Sequence, residues 1–119
     1  MANRTPKEVF TAHVTALGNE NVEGILANRN DESVLITAER TYKGRAEIGA
    51  FFRKLLTELP KAKWGLDAEV YQQNVLYIEW TARSSKNNVS DGVDTFVFKD
   101  GLIAIQTARC SLVMSKLNA

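Results

Sequence analysis

The chain is poor in the residues from which many specialised sites are built. Its 119 residues include one cysteine, Cys110, and one histidine, His13. A single thiol excludes an internal disulfide and a cysteine-rich metal site, and a single imidazole excludes a histidine cluster. No metal-ligand spacing is present, and no metal is expected. Charge of neither sign is in excess: fifteen Lys and Arg face fourteen Asp and Glu, for a net +1. The basic footprint of a nucleic-acid binder is therefore missing, as is a polybasic membrane-surface patch. No apolar run approaches about 18 residues, so no membrane-spanning helix is expected. The opening Met1–Pro6 has no apolar leader core, and the expected location is cytoplasmic. Gly44-Arg45 lacks the glycines and lysine of a phosphate loop. With no nucleotide, metal or flavin signature, no cofactor is expected.

What remains is ordinary in composition, with 45% apolar and 24% charged residues. That predicts one soluble domain over residues 1–119 with a core of its own. Thr5-Pro6-Lys7-Glu8 has the form of a capping box with proline in the first turn. Phe10, His13, Val14 and Leu17 follow as a stripe, and Gly18-Asn19 ends the helix. Asn21 opens a second, short helix carrying Val22, Ile25 and Leu26. Ser33–Ala38 reads as a strand and Glu39–Gly44 as a turn region. Ala46–Leu59 is the strongest helix, with Ile48, Phe51, Phe52, Leu55, Leu56 and Leu59 on one face, stopped by Pro60. Four strands are expected after Pro60: from Trp64, over Val75–Arg83, over Val93–Lys99, and over Leu102–Met114. Lys86–Gly92 reads as a loop and Asp100-Gly101 as a tight hairpin turn. Helices followed by strands indicate an α+β fold.

Strand alternation sorts the sheet into two faces. One carries Trp64, Leu66, Leu76, Ile78, Trp80, Ala82, Asp94, Phe96, Phe98, Ala104, Gln106, Ala108, Cys110 and Leu112. The other carries Val75, Tyr77, Val93, Thr95, Val97, Ile103, Ile105, Thr107, Arg109 and Val113. Both are substantially apolar, and three helices can cover only one. A homodimer through the outer face, burying Val97, Ile103 and Ile105, is the expectation.

Polar residues within the apolar set are the candidate site. Asp94 shares its face with Phe96 and Phe98. A carboxylate there must be paired, hydrogen-bonded or neutral, and desolvation should raise its pKa. It is either a pocket acid or an acceptor of turn N–H groups from Ser90-Asp91-Gly92. His13 is either a satisfied core residue or a neutral donor facing a pocket. Gln106 is a buried amide in an apolar set. Trp80 reads as core with an N–H that needs a partner, and Cys110 as a small core hydrophobe.

The element order resembles that of the nuclear transport factor 2-like superfamily, and within it the SnoaL-like polyketide cyclase and ketosteroid isomerase group. Gly44-Arg45-Ala46-Glu47-Ile48-Gly49-Ala50-Phe51-Phe52 and Asp91–Ile103 carry the resemblance, which extends over about residues 6–113. It implies a cone, with three N-terminal helices packed in the concave face of a curved, mainly antiparallel sheet. It also implies a pocket at the open end and a dimer through the sheet. In steroid isomerases of this fold, a first-helix tyrosine and a protonated aspartic acid form an oxyanion hole, and a strand aspartate is the base. By this resemblance Asp94 matches the oxyanion-hole aspartate and His13 falls where the tyrosine would be. The base position falls near Thr37, which cannot serve as a base near neutral pH. Glu39 would replace it if the strand continued that far.

Two readings follow. In the first, the protein acts on a small apolar carbonyl compound through an enol or enolate. Asp94 would be the acid–base group, His13 and Gln106 polarising donors, and Trp80, Phe51, Phe52, Leu35, Phe96 and Thr37 the pocket. In the second, it is a non-catalytic module that binds a small ligand or dimerises, with Asp94 and His13 a mutually satisfied pair. A cavity of about 300–1,000 Å³ would favour the first, and a closed core with no cavity in that range the second.

Overall fold

The computed structural model describes residues 4–116. Met1–Asn3, half of the segment read as lacking a leader core, lie outside that range. The chain begins with the expected capping box. Thr5 Oγ1 accepts from the Glu8 amide at 3.1 Å, and Glu8 Oε1 accepts from the Thr5 amide at 2.8 Å. This opens α1 (Pro6–Gly18), and Asn21 caps α2 (Val22–Leu26). The buried side chains of α1 are Val9, Phe10, His13 and Ala16. The apolar stripe is thus rotated from the expected one: Val14 is 41% exposed. The third helix, α3 (Gly44–Glu58), buries Ile48, Phe52 and Leu56 and ends with Leu59 as its C-cap, before Pro60.

Seven strands form one sheet: β1 (Val34–Ile36), β2 (Thr41–Lys43), β3 (Lys63–Gln72), β4 (Val75–Arg83), β5 (Asn87–Lys99), β6 (Leu102–Arg109) and β7 (Val113–Met114). Their order is β2-β1-β6-β5-β4-β3, with β7 on β5. Only β1 and β6 run parallel; the remaining pairs are antiparallel. The curved open sheet and few helices give the α+β cone. Among the described residues, no helix is long and apolar enough to cross a membrane.

Several expectations need correction. Thr41–Lys43, read as turn, is a strand too short to show alternation. Asn87–Gly92, read as loop, is the start of β5. Its polar residues are held by tertiary partners: Asn87 Nδ2 donates to the Glu58 carbonyl at 2.9 Å, and Asn87 pairs with Met114. The last strand breaks after Arg109, so Cys110 and Leu112 lie outside the ladder, and Leu112 is 43% exposed.

Bulges shift the faces. Val97 pairs with Ile105 but Phe98 pairs with Ile103, which leaves Ala104 as an extra residue. That turns Ile103 inward, where it is fully buried, and removes it from the expected outer face. A second bulge at Asp67 leaves Leu66 opposite Trp80 and puts Val70 opposite Tyr77 on the outside. Asp100 and Gly101 both adopt positive φ, as the hairpin turn requires.

The helices cover the concave face in three clusters. Val9 and Phe10 pack on Leu76, Ile78, Phe96, Phe98 and Ile103. Ile25, Leu26, Ile48, Phe52 and Leu56 pack on Leu35. Leu59, Ala82 and Val89 close the far end.

Candidate functional site

A cavity of about 130 Å³ opens between α1, α3 and the concave face of β3–β6. Phe10, Phe51, Phe52, Trp64, Trp80 and Phe96 supply aromatic walls. Val14 and Leu66, both exposed, reach it from the outside. Besides the indole N–H groups of Trp64 and Trp80, His13, Asp94 and Gln106 bring polar atoms to this apolar space.

The register explains their convergence. Asp94 pairs with Ile78 on one side and Ala108 on the other, and Phe96 pairs with Gln106. All five point to the concave face. Trp80 Nε1 donates to Asp94 Oδ1 at 3.0 Å, and Gln106 Nε2 donates to Asp94 Oδ2 at 2.8 Å. Burial nevertheless dominates and raises the Asp94 pKa from 3.8 to about 6, while Trp80, Gln106, the Arg109 backbone and the Arg29 charge hold it back.

Behind Gln106 stands Arg29, fully buried in the segment after α2. Its Nη2 donates to Gln106 Oε1 at 2.7 Å and lies 3.5 Å from His13 Nδ1. Its guanidinium carbon is 5.1 Å from the centre of the Phe52 ring. Burial pushes its pKa down to about 9, with Asp94 opposing, so Arg29 remains a cation at neutral pH. Burial first, and then the Arg29 charge, lower His13 to about 3, so its imidazole is neutral. An arginine N–H can only donate. The contact therefore makes Nδ1 the acceptor and puts the imidazole proton on Nε2. Among the described residues, Nε2 has no hydrogen-bond partner.

Of the residues expected in the pocket, the structure brings together Asp94, His13, Gln106, Trp80, Phe51, Phe52 and Phe96. Two do not line the cavity. Leu35 is fully buried in the cluster around Ile48 and Phe52. Thr37 lies beyond the end of β1, where its hydroxyl donates to the Arg40 carbonyl at 3.0 Å. Glu39 is exposed in the same turn and cannot take the base position, because the strand stops at Ile36. His13 and Asp94 are not a directly bonded pair; Gln106 and Arg29 stand between them.

Sequence reasoning missed Arg29. Asn28-Arg29-Asn30 has the look of a solvated turn, and no local pattern marks its burial. The available signal was indirect: a carboxylate predicted on an apolar face calls for a counter-charge.

A family model described as SnoaL-like domain matches residues 10–106. No curated protein matches the sequence. Solved structures with the same fold include a candidate SnoaL-like polyketide cyclase from Shewanella denitrificans, with TM-score 0.73, 13% identity, and coverage of 89% of this chain and 90% of that one. A candidate ketosteroid isomerase from Kribbella flavida has TM-score 0.74 and 13% identity, covering 96% and 83%. TerC, co-crystallized with polyporic acid, has TM-score 0.74 and 18% identity, covering 89% and 91%. At these identities the likeness extends to the fold alone. The chain belongs to the SnoaL-like domain family and has its NTF2-like cone.

Proposed function

We propose that the protein binds a small apolar carbonyl compound and moves a proton on it through an enol or enolate. The observation that carries this reading is a desolvated carboxyl, Asp94, on the wall of an aromatic cavity that also holds a neutral histidine donor. At about 130 Å³ the cavity falls below the range of about 300–1,000 Å³ expected of the first reading, and on volume alone it favours the second, non-catalytic one. Its volume is close to that of the roughly 150 Å³ cavity known to hold benzene. A single ring bearing a carbonyl therefore fits best, with the rest of the molecule leaving past Val14 and Leu66.

The chemistry uses one acid–base group. Ionised Asp94 takes the proton from the carbon beside the carbonyl, and the charge passes to the carbonyl oxygen. The His13 Nε2–H donates to that oxygen and stabilises it. Asp94, now protonated, returns the proton at the same or a conjugated carbon, or the enolate carbon attacks a second carbonyl within the substrate. A carboxyl with a pKa of about 6 is suited to both directions near neutral pH. No separate base at Thr37 is needed.

The test is deuterium incorporation from D₂O into cyclic ketones, enones and 1,3-diketones, followed by NMR. Wild type should catalyse it, and Asp94→Asn should lose about 10²–10⁴-fold. A second reading, a ligand-binding module without turnover, is supported by Asp94 and His13 being, among the described residues, the only titratable ones on the cavity wall. Compounds that shift the tryptophan fluorescence with no exchange for any of them would select it. The co-crystallization of TerC with polyporic acid supports a small-molecule pocket under either reading.

We also propose that the outer face pairs two copies of the chain. Val75, Val97 and Ile105 form one cross-strand row, and Val70, Tyr77, Thr95, Thr107 and Ile36 form the next. Val70 is 57% exposed, and Tyr77, Ile105 and Ile36 are also exposed. Sedimentation at micromolar concentration should give a dimer and Val97→Glu a monomer; a monomeric wild type would contradict the proposal.

A further inference from the structure

We propose that Arg29 is a positioning residue of this site: its Nη2 fixes Gln106 with the amide N–H toward Asp94 and holds His13 in the Nε2–H form. The inference rests on the reading of Asp94 and His13 as the working pair.

The geometry has a direction. Gln106 is an amide that can turn either end toward a neighbour, and one turn would place its oxygen against the Asp94 carboxylate. Arg29 excludes that turn, because its N–H needs the Gln106 oxygen. The nitrogen end is then left for Asp94 at 2.8 Å. The same Nη2 reaches His13 Nδ1, at the long limit of a hydrogen bond. One cation thereby sets the orientation of two side chains on the cavity wall without touching the cavity itself.

The identity of the residue supports a role beyond stability. A buried guanidinium carries a desolvation cost of several kcal/mol, and an apolar side chain of similar volume is often the more stable choice. Among the described residues, Arg29 Nε and Nη1 have no hydrogen-bond partner. Its guanidinium is held over the Phe52 ring and by the two contacts at Nη2. Among the groups packed around Asp94, Arg29 is the cation. Trp80 from β4 and Gln106 from β6 are neutral, His13 from α1 is neutral, and Cys110 beyond β6 is a thiol whose pKa is raised. Removing the Arg29 charge must therefore move both Asp94 and His13.

The chain offers a clean readout because His13 is its only histidine. Imidazole ¹⁵N shifts of histidine-labelled protein report this one ring, and carboxyl ¹³C shifts, assigned with Asp94→Asn, report Asp94. Both are read on the free protein, so they stand or fall separately from any turnover. In wild type, Nε2 should carry the proton and Nδ1 should be the bare nitrogen, unchanged from about pH 8 to about pH 5, bracketing an ordinary histidine. Arg29→Met should release the ring into a mixture of tautomers. It should also raise the titration midpoint of Asp94, as loss of a nearby opposite charge does. Arg29→Lys, which keeps the cation, should bring the Asp94 midpoint back toward wild type. A bare Nε2 or a charged imidazole at pH 5 in wild type would overturn the proposal with no variant needed. A folded Arg29→Met with the wild-type tautomer and Asp94 midpoint would overturn it equally. If deuterium exchange fails while the tautomer and midpoint behave as stated, the functional reading falls and the role of Arg29 stands.

Discussion

Gly92 lies directly under the indole of Trp80. The two residues are paired across β4 and β5, and a Cβ built on Gly92 would come within 2.3 Å of the Trp80 ring carbons and 2.6 Å of its Nε1. No side chain other than hydrogen fits there. The flat seat places the indole N–H on Asp94 Oδ1, so a glycine two residues before the candidate acid sets one of its hydrogen bonds.

Gly92→Ala should therefore destabilise the fold by about 1–3 kcal/mol, the usual cost of forcing a group into a packed site. It should also shift the tryptophan emission, because Trp80 must leave Asp94. Urea unfolding with fluorescence measures both. A change below about 0.5 kcal/mol, the range of ordinary surface substitutions, would mean that Trp80 is not fixed by this contact.

The raised pKa of Asp94 has a definite consequence for stability. The folded value of about 6 lies above the unfolded value near 3.8, so the folded protein holds the extra proton between them. From this group, stability is greatest below about pH 4, falls as pH climbs to about 6, and is flat above that. The loss is at most about 3 kcal/mol, from 1.36 kcal/mol per unit. Glu69 and Asp91, whose values are lowered, act with the opposite sign at low pH. The difference between wild type and Asp94→Asn isolates the Asp94 contribution. That difference should change across pH 4–6 and be constant above. Asn carries an additional offset at every pH, because its amide N–H₂ would face the Gln106 Nε2.

Much of this architecture was legible. The capping box at Thr5 and Glu8, the helix before Pro60 and the Asp100-Gly101 turn are local devices whose chemistry is complete within a few residues. Asp94, His13 and Gln106 were visible because polar groups interrupted an apolar pattern. The faces were misread only beside bulges: Ile103, next to the extra residue Ala104, turns inward, and Val70, beyond the extra residue Asp67, turns outward, while Ile78, Asp94, Phe96 and Gln106 lie on the face that alternation assigns them. Arg29 and Thr37 were misjudged for a different reason. Whether a loop residue enters the core depends on where distant strands place their charges and ends, and no periodicity records that.

The local part can be checked by itself. Thr5→Ala removes the acceptor for the Glu8 amide and should cost about 1 kcal/mol, the usual value of an N-cap. Chemical denaturation measures it, and no loss would show that Lys7 and Pro6 hold the helix start without the cap.

Cys110 should be a poor nucleophile. Burial first, and then the charges of Asp94 and Asp91, push its thiol up to about 11. At pH 8 it is almost entirely protonated, so alkylation by iodoacetamide should be far slower than for free cysteine and should accelerate in denaturant. Rapid labelling of the folded protein would contradict the half-buried placement beside those acids.

The most direct measurement is the titration of the Asp94 carboxyl by ¹³C NMR, identified by its loss in Asp94→Asn. A midpoint near 6 is the result this site predicts, with Asp94 desolvated on the cavity wall and held by Trp80 and Gln106. A midpoint at the ordinary value near 3.8 would contradict it: Asp94 would be an ionised structural acceptor, and the cavity would have no group able to exchange a proton near neutral pH.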